Sequence, residues 1–510
     1  MLQSPLIQAL ANSKEAGLLA GIAPSSADEL LLAKGLHYEI LLKWGDAISD
    51  KDHFGFNNDY VAFIPTKNNK LNEGLLWVNH ESVDAKFVSG YTGKQERTKE
   101  QVDKEMYEVG GTIVKIKKNK RGQWQIVYND PLNRRITAKT IIPFHYPTPI
   151  ADTREAMGTL ANCAGGVTPW GTILTCEENY DLFYGDRDRK TGGKQKGSRM
   201  GWEKFYNNPP EHYGWVVEVN PITGDAKKLV ALGRCAHECA TMKALPDGRI
   251  VVYTGDDAND ECLYKFISSK PASLLEGTLY VANLEQGRWE SLNLAEQPVL
   301  QQHFKSQEEV LIWLREASKL VGGTPLDRPE DIEIDPITGN VLVALTNNTA
   351  KGNYHGSVLK VMEMAGDYAS LHFSHETFLA GGEETGFACP DNMAFDAAGN
   401  LWFTSDISGS SMNKPPYAPF GNNGLFLLPR KGPQAGKVIQ MASAPVDAEL
   451  TGPCFSPDGK TLFLCVQHPG ERSKNLEQLT SHWPEGGNNI PRSSLVTISG
   501  PLLENIQQLT

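Results

Sequence analysis

One pattern recurs along the chain and constrains the fold more than any other feature. It consists of polar residues, a short β-rich run, a tight turn, a second β-rich run and polar residues again. The clearest copies are late, and their turn glycines, Gly339, Gly399 and Gly459, are 60 residues apart. Short glycine-containing turns between β-rich runs are typical of β-hairpins. A hairpin that recurs at such a spacing indicates a repeat architecture.

The sequence contains six copies of this hairpin. Each is followed by further β-rich runs without polar ends, so each copy predicts a four-stranded antiparallel unit. Six such units arranged radially form a β-propeller, which protects its sheet edges by repetition. The sequence therefore predicts an all-β, six-bladed β-propeller. The copies begin near Asn57, Asn162, Cys235, Arg328, Cys389 and Gly452.

Three segments lie outside the repeat, within what we expect to be a single domain over residues 1–510. Residues 1–35 are predicted to be helical, with one helix from Ser4 to Leu19 and a second from Ala27 to Ala33. The strand-like run 37–44 has no hairpin partner, whereas the last unit lacks one strand, so this run is expected to close the ring. Apolar residues at helical spacing predict one inserted helix over residues 304–320.

Three long segments interrupt the repeat and are rich in glycine, proline and charged residues. They span residues 129–160, 181–212 and 407–421. The sequence predicts no regular structure for them. Loops of this length in a compact fold are often functional, so we expect them to lie over the mouth of the channel as binding lids.

Composition excludes several classes of function. The net charge of −12 argues against a nucleic-acid groove. No run approaches the roughly 20 apolar residues that cross a bilayer. The amino-terminal residues do not show the basic and apolar regions of a signal peptide. The eight cysteines include no Cys-x-x-Cys pair, so most are expected to be small buried residues.

The hairpin geometry predicts where the polar residues meet. Residues before the first strand and after the second strand lie at the same end of a hairpin. If this hairpin is the inner one of each blade, all six polar pairs gather in one pit around the central channel. The residues expected there are Asp59, Glu81, Cys163, Glu177, Glu178, His237, Glu238, Asp256, Arg328, Glu330, Asp391, Asp406 and His468.

So many carboxylates in one place favour a metal centre. Like charges raise each other's pKa unless a cation compensates them. Carboxylates are hard ligands suited to calcium, whereas a thiolate is soft and prefers a transition metal, so the mixed set suggests two kinds of metal. The alternative is that these acids cap strands. The sequence shows no Gly-x-Ser-x-Gly elbow, no Walker loop and no His-Glu-x-x-His zinc site.

Four stretches together resemble the PhoX-type alkaline phosphatases. They are Asn162 to Glu178 with its Thr-Pro-Trp-Gly-Thr core, Arg234 to Ala240, Arg328 to Asp331, and Cys389 to Asn392. The resemblance covers most of residues 50–470. Members of that family are six-bladed propellers whose channel holds iron and calcium around a bridging oxo group, with one cysteine on iron.

The resemblance assigns roles to individual residues of this chain. It implies that Cys163 binds iron, that Glu178, Glu238 and Glu330 hold metals, and that Arg328 grips phosphate. Arg328, Glu238 and Glu330 are accordingly the expected catalytic residues. The pit geometry adds further candidate metal ligands, namely Asp59, Glu81, Glu177, Asp391 and Asp406.

The implied activity is hydrolysis of small phosphate monoesters, with a metal-bridged oxygen as the nucleophile and no protein nucleophile. Two other classes stay open: a calcium-dependent lactonase or arylesterase, and a propeller that only binds proteins. We expect a monomer. Family members are usually exported by the twin-arginine route, which implies a periplasmic or secreted location, although this sequence shows no such signal.

Overall fold

The repeated hairpins form six antiparallel sheets in the computed structural model, which describes residues 18–66 and 71–506. The first strand of each sheet contacts the first strands of both neighbouring sheets, so these inner strands surround a central channel. This arrangement confirms the predicted six-bladed β-propeller. The blades are numbered below in the chain order of their inner strands, and strands are given from the inside outward.

The first three blades come from consecutive parts of the chain. In blade 1, Arg134–Ile136 also pairs with the third strand. Blade 1 contains Asn58–Pro65, Glu73–His80, Gly110–Lys118 and Trp124–Ile126; blade 2 contains Asn162–Val167, Ile173–Glu177, Val216–Val219 and Ala226–Lys228; and blade 3 contains Thr241–Ala244, Ile250–Gly255, Leu263–Ser268, Gly277–Asn283 and Arg288–Ser291.

The last two blades each receive their outermost strand from the amino-terminal part of the chain. Blade 4 contains Pro329–Ile334, Val341–Leu345, Ser357–Glu363 and Phe373–Ala380; blade 5 contains Pro390–Phe395, Leu401–Ser405, Gly424–Leu428, Ile439–Ser443 and Leu31–Leu32; and blade 6 contains Glu449–Phe455, Leu462–Gln467, Ser494–Ser499 and His37–Lys43.

The ring is closed between the two ends of the chain. His37–Lys43 pairs antiparallel with Ser494–Ser499, from His37 opposite Ser499 to Lys43 opposite Ser494. This is the pairing that the sequence predicts for residues 37–44. Closure of this kind joins strands far apart in sequence, so the last sheet forms only when both ends are in place.

The predicted helix over residues 27–33 is wrong. Residues 18–35 contain no helix, and Leu31–Leu32 pairs with Ala442 and Ser443 at the edge of blade 5. An unpaired sheet edge is a liability, and this short strand covers it while Leu30 and Ala33 become buried. The other predicted helix, Ser4 to Leu19, lies almost wholly outside the described residues.

The inserted segment is also more broken than predicted. It contains Pro298–His303, Gln307–Ile312 and Leu314–Leu320, with non-helical backbone at Trp313 (ψ 45°). Val310, Ile312 and Leu314 are all buried. Val310 and Ile312 lie in the same short helix and point roughly 200° apart, so the helix Gln307–Ile312 is buried on both sides.

The remaining helices are short and lie outside the blades. The α-helices are Ala85–Val88, Lys99–Glu108, Asp181–Tyr184 and Pro501–Ile506, and single 3₁₀ turns occur at Trp202–Lys204, Pro210–His212, Val230–Leu232, Thr349–Lys351, Met364–Gly366 and Ala418–Phe420. Within the described ranges, every helix is too short or too polar to cross a membrane.

Two of the long segments are more regular than predicted. Residues 129–160 contain the hairpin Ile141–Pro143 with Glu155–Met157. Residues 181–212 contain the hairpin Asp186–Arg187 with Lys194–Lys196. A further two-stranded sheet joins Asn259–Glu261 to Leu326–Asp327, beside the inserted helices.

The closing strand should contribute measurably to stability through Leu42. This side chain is 1% exposed and packs in the cluster that contains Leu495, whereas Ile40 on the same strand is 37% exposed. We expect Leu42→Ala to lower the free energy of unfolding by about 2–5 kcal/mol. Ile40→Ala is the control and should cost no more than about 1 kcal/mol. Urea unfolding measures both, and equal effects would contradict the closure.

Candidate metal centre

A β-bulge near the start of the inner strand places one side chain of each of four blades in the channel. The pairing register shifts just after Asn58, Asn162, Pro329 and Pro390. A bulge re-aims a side chain and is common beside active sites. The residues that follow these four positions, together with the equivalent residue after the bridge between His237 and Asp256 in blade 3, are Asp59, Cys163, Glu330, Asp391 and Glu238.

A second set of side chains follows the second strand of the hairpins. The backbone N–H groups of Glu81, Glu178, Asp257 and Asp406 each donate to a carbonyl oxygen just before the inner strand of the same blade, at 2.8–3.0 Å. This shared hydrogen bond gives the four carboxylates the same orientation. His468 follows the second strand of blade 6 and completes the set.

These residues surround one cavity of about 250 Å³ at the mouth of the channel. Ten of the thirteen residues predicted for the pit line it. The ten are Asp59, Glu81, Cys163, Glu178, Glu238, Arg328, Glu330, Asp391, Asp406 and His468.

Three residues predicted for the pit do not line it: the candidate ligand Glu177, and also His237 and Asp256. Glu177 is fully buried, forms an ion pair with Lys228 at 2.5 Å and accepts the N–H of Gly214 at 2.9 Å. Successive strand residues point to opposite faces, so Glu178 enters the pit while Glu177 points into the protein.

His237 and Asp256 have structural partners as well. The ring nitrogens of His237 contact Thr254 Oγ1 at 2.9 Å and the carbonyl oxygen of Gly233 at 2.8 Å. Asp256 is fully buried and forms an ion pair with Arg315. Both residues therefore organise the backbone behind the pit.

Two groups of three donors could each hold a metal ion. Cys163, Glu178 and Glu238 form one group, and Glu238, Glu330 and Asp391 form the other, with ligand atoms within 4.8 Å of one another. The thiol of Cys163 lies 3.0 Å from Glu238 Oε1, and Glu238 belongs to both groups. The arrangement could accommodate two ions that share one carboxylate.

Burial and mutual repulsion disfavour the ionised forms of the acidic side chains in the pit. Burial, followed by the charge of Glu330, raises the pKa of Glu238 well above its ordinary value. Burial and then Glu81 do the same to the pKa of Asp59, and burial and then Asp59 raise the pKa of the Cys163 thiol. Cations in the pit would remove this penalty, because they favour the charged forms.

Two buried carboxylate oxygens support the fit of metal ions to this donor set. Asp59 Oδ1 and Glu238 Oε2 have no hydrogen-bond partner among the residues that the structure describes. Buried carboxylate oxygens are normally hydrogen-bonded or coordinated. The residues present thus fit a cluster of cations with mainly oxygen donors and one sulfur donor.

Arg328 brings a guanidinium group to this acidic pit. Its Nε and Nη2 donate to the two oxygens of Asp257 at 2.8 and 2.9 Å, and Nη2 lies 2.7 Å from Glu330 Oε1. Nη1 makes only a long contact of 3.3 Å with Asp406. The side chain is 25% exposed, so it is reachable from solvent.

Three acidic residues of the pit were missed by the sequence reasoning: Asp257, Glu449 and Glu471. Asp257 is adjacent to the predicted Asp256, and the alternation that separates Glu177 from Glu178 could have identified it. Glu449 begins the inner strand of blade 6, three residues before the predicted start of that copy, and lies 3.2 Å from His468 Nε2. Glu471 lies in a loop after blade 6 and carries no repeat signal.

Comparisons with known proteins show the family to which this chain belongs. A family model described as alkaline phosphatase PhoX matches residues 18–470. The chain is similar to the structure of Pseudomonas fluorescens PhoX in complex with vanadate, a transition state analogue. Sequence identity is 29%, the match covers 94% of this chain and 98% of that chain, and the TM-score is 0.85.

Two further structures match much more weakly. A protein of unknown function from Dyadobacter fermentans shows 10% identity over 92% of this chain and 100% of its own, with a TM-score of 0.42. A putative 6-phosphogluconolactonase from Bacteroides uniformis shows 10% identity, coverage of 81% and 78%, and a TM-score of 0.33. Neither similarity bears on function, and no curated protein gave a significant match. Because the family model spans most of its length, the chain belongs to the PhoX alkaline phosphatase family and is a phosphatase, an enzyme of the hydrolase class.

Proposed function

We propose that the pit hydrolyses phosphate monoesters of small molecules, with Arg328 binding the phosphoryl group. The observation that carries the proposal is the position of Arg328: its partly exposed guanidinium lies 2.7 Å from Glu330, which belongs to one of the two candidate metal groups. The 29%-identical Pseudomonas fluorescens PhoX has been solved in complex with vanadate, a transition state analogue, which supports phosphate chemistry here.

The donor set divides by chemical type. The thiolate of Cys163, with Glu178 and Glu238, suits iron, whereas the all-oxygen group of Glu238, Glu330 and Asp391 suits calcium. Asp59, Glu81 and Asp406 are further oxygen donors for these ions. Bound cations at such a site would neutralise the phosphoryl oxygens and activate the attacking water.

Arg328 is held so that one edge of its guanidinium is available to substrate. Asp257 fixes the group through Nε and Nη2, and only the long contact with Asp406 occupies Nη1. A phosphoryl oxygen can replace that contact and gain a charge-assisted hydrogen bond. Charge that builds up on the phosphoryl oxygens in the transition state would strengthen this bond.

The alternatives explain less of the site. A calcium-dependent lactonase or arylesterase would have no use for the thiol of Cys163 or for a guanidinium beside the acidic groups. A purely protein-binding propeller would not explain why so many carboxylates are buried together at a cost. The small cavity suits a phosphoryl group with the ester's leaving group outside it, so we propose broad action on monoesters. A monomeric, exported enzyme remains part of the proposal.

Replacement of Arg328 tests the phosphate-binding role. Arg328→Ala should lower kcat/KM by on the order of 10²-fold or more, or roughly 3 kcal/mol, because a contact that strengthens in the transition state is lost. Arg328→Lys should recover little, since a point charge cannot reproduce the planar fork. Steady-state kinetics with p-nitrophenyl phosphate measure both variants. A variant that loses metal or melts early, but keeps its rate per loaded site, would show that Arg328 is structural.

Replacement of Cys163 tests the thiolate ligand. If Cys163 binds iron, the protein should show a thiolate-to-iron charge-transfer band in its visible spectrum, and Cys163→Ser should bleach it. Cys176→Ala is a matched control, because Cys176 lies on the adjacent strand of the same blade, is fully buried and is outside the pit. Unchanged absorption and activity in Cys163→Ser would leave Cys163 as a packed core thiol.

The adjacent pair Glu177 and Glu178 separates a metal ligand from a structural carboxylate. Glu178→Gln should lose metal and activity. Glu177→Gln should keep its metal but lose about 3 kcal/mol or more of stability, because Lys228 is left buried without its partner. Elemental analysis and thermal melting measure the two effects. Loss of metal in Glu177→Gln with retention in Glu178→Gln would reverse the assignment.

A further inference from the structure

The helical insert between blades 3 and 4 reaches the back of the pit through one ion pair. Arg315 lies on Leu314–Leu320 and donates from Nε to Asp256 Oδ2 at 2.8 Å, while its Nη2 donates to Oδ1 of the same carboxylate. The side chain of Asp256 is fully buried, whereas that of Arg315 is 34% exposed. A two-point contact of this kind fixes both the position and the rotation of the carboxylate.

Asp256 transmits this restraint to two segments that carry pit residues. Its Oδ1 also accepts the N–H of Ala236 at 3.1 Å, two residues before Glu238. The next residue, Asp257, donates its own N–H to the carbonyl oxygen of Ala236 at 2.9 Å. The carboxylate of Asp257 then holds the guanidinium of Arg328 at 2.8 and 2.9 Å.

We propose that Arg315 is a positioning residue for Arg328. Arg315 does not line the pit and does not contact Arg328. Its ion pair with Asp256 fixes the backbone at Asp257, whose carboxylate orients the phosphate-binding guanidinium of Arg328. The inference rests on the proposed function, because it concerns the orientation of the residue proposed to bind the phosphoryl group. It gives the helical insert a role in the reaction, although the insert supplies no residue that lines the pit.

The same helix provides a matched control. Lys319 lies one turn after Arg315, is 55% exposed and forms an ion pair with Glu261 at 2.7 Å. This pair ties the insert to the two-stranded sheet that contains Asn259–Glu261, but Glu261 does not line the pit. A general loosening of the insert should therefore affect both variants, whereas misplacement of Arg328 should follow only from a change at Arg315.

The first test uses single variants of the full-length, metal-loaded enzyme with p-nitrophenyl phosphate as substrate. Arg315→Lys keeps a positive charge beside the buried Asp256 and should fold, but it cannot make the two-point contact. We expect about a tenfold loss of kcat/KM, because small misplacements of a catalytic group are costly. Inhibition by vanadate should weaken in parallel. Arg315→Ala should lose more, and Lys319→Ala should stay within about twofold of the wild type.

The second test combines the changes at Arg315 and Arg328. If Arg315 acts through Arg328, Arg315→Lys should cause almost no further loss in the Arg328→Ala background, because contributions of coupled residues are not additive. Losses that multiply in full, or wild-type kinetics in Arg315→Lys, would overturn this inference alone. A wild-type enzyme that hydrolyses no phosphate monoester would instead overturn the proposed function, and this inference with it.

Discussion

Repulsion among buried carboxylates is the constraint on which the rest of the structure depends. Among the residues that the structure describes, ten carboxylates and one thiol line a single cavity, together with one arginine and one histidine. Burial raises the pKa of most of these acids, so keeping them ionised in the folded protein has a cost that bound cations would offset. A fold that keeps these groups together must be rigid. The propeller is closed by pairing between strands from the two ends of the chain, which restrains all six blades.

The blades hold these acidic groups together by repeating the same backbone with different residues at the same positions. The same bulge position supplies Asp59, Cys163, Glu330 and Asp391, and the equivalent position in blade 3 supplies Glu238. The same position after the second strand supplies most of the remaining acids. Because the backbone is shared, a change of residue type at one position changes the chemistry without changing the scaffold. In blade 2 this position holds Cys163 where blades 1, 3, 4 and 5 have a carboxylate, so the set offers one soft sulfur donor among hard oxygen donors.

The six-bladed fold and most of the pit residues could be predicted from the sequence. The repeat indicates both the strands and the end of each hairpin at which the polar residues gather. The failures have local physical causes. Glu177 and Asp256 lie at the predicted end of the second strand, but strand alternation turns each away from the channel and brings its neighbour, Glu178 or Asp257, into it. Leu31–Leu32 became a strand rather than part of a helix because blade 5 offers an open edge, which only the tertiary structure shows. The break at Trp313 is not visible in the sequence, because the apolar helical spacing continues through Trp313 and Leu314. Glu471 and the contact between Arg315 and Asp256 depend on loops and inserts that have no counterpart in the repeat.

The central claim is that the acidic pit is a metal centre that hydrolyses phosphate monoesters. The most direct measurement is elemental analysis of the purified protein together with an assay on p-nitrophenyl phosphate before and after chelation. We predict that the protein contains iron and calcium, that a chelator abolishes hydrolysis, and that added calcium restores at least part of it. A protein that is free of metal and still hydrolyses the ester at its full rate would contradict this account.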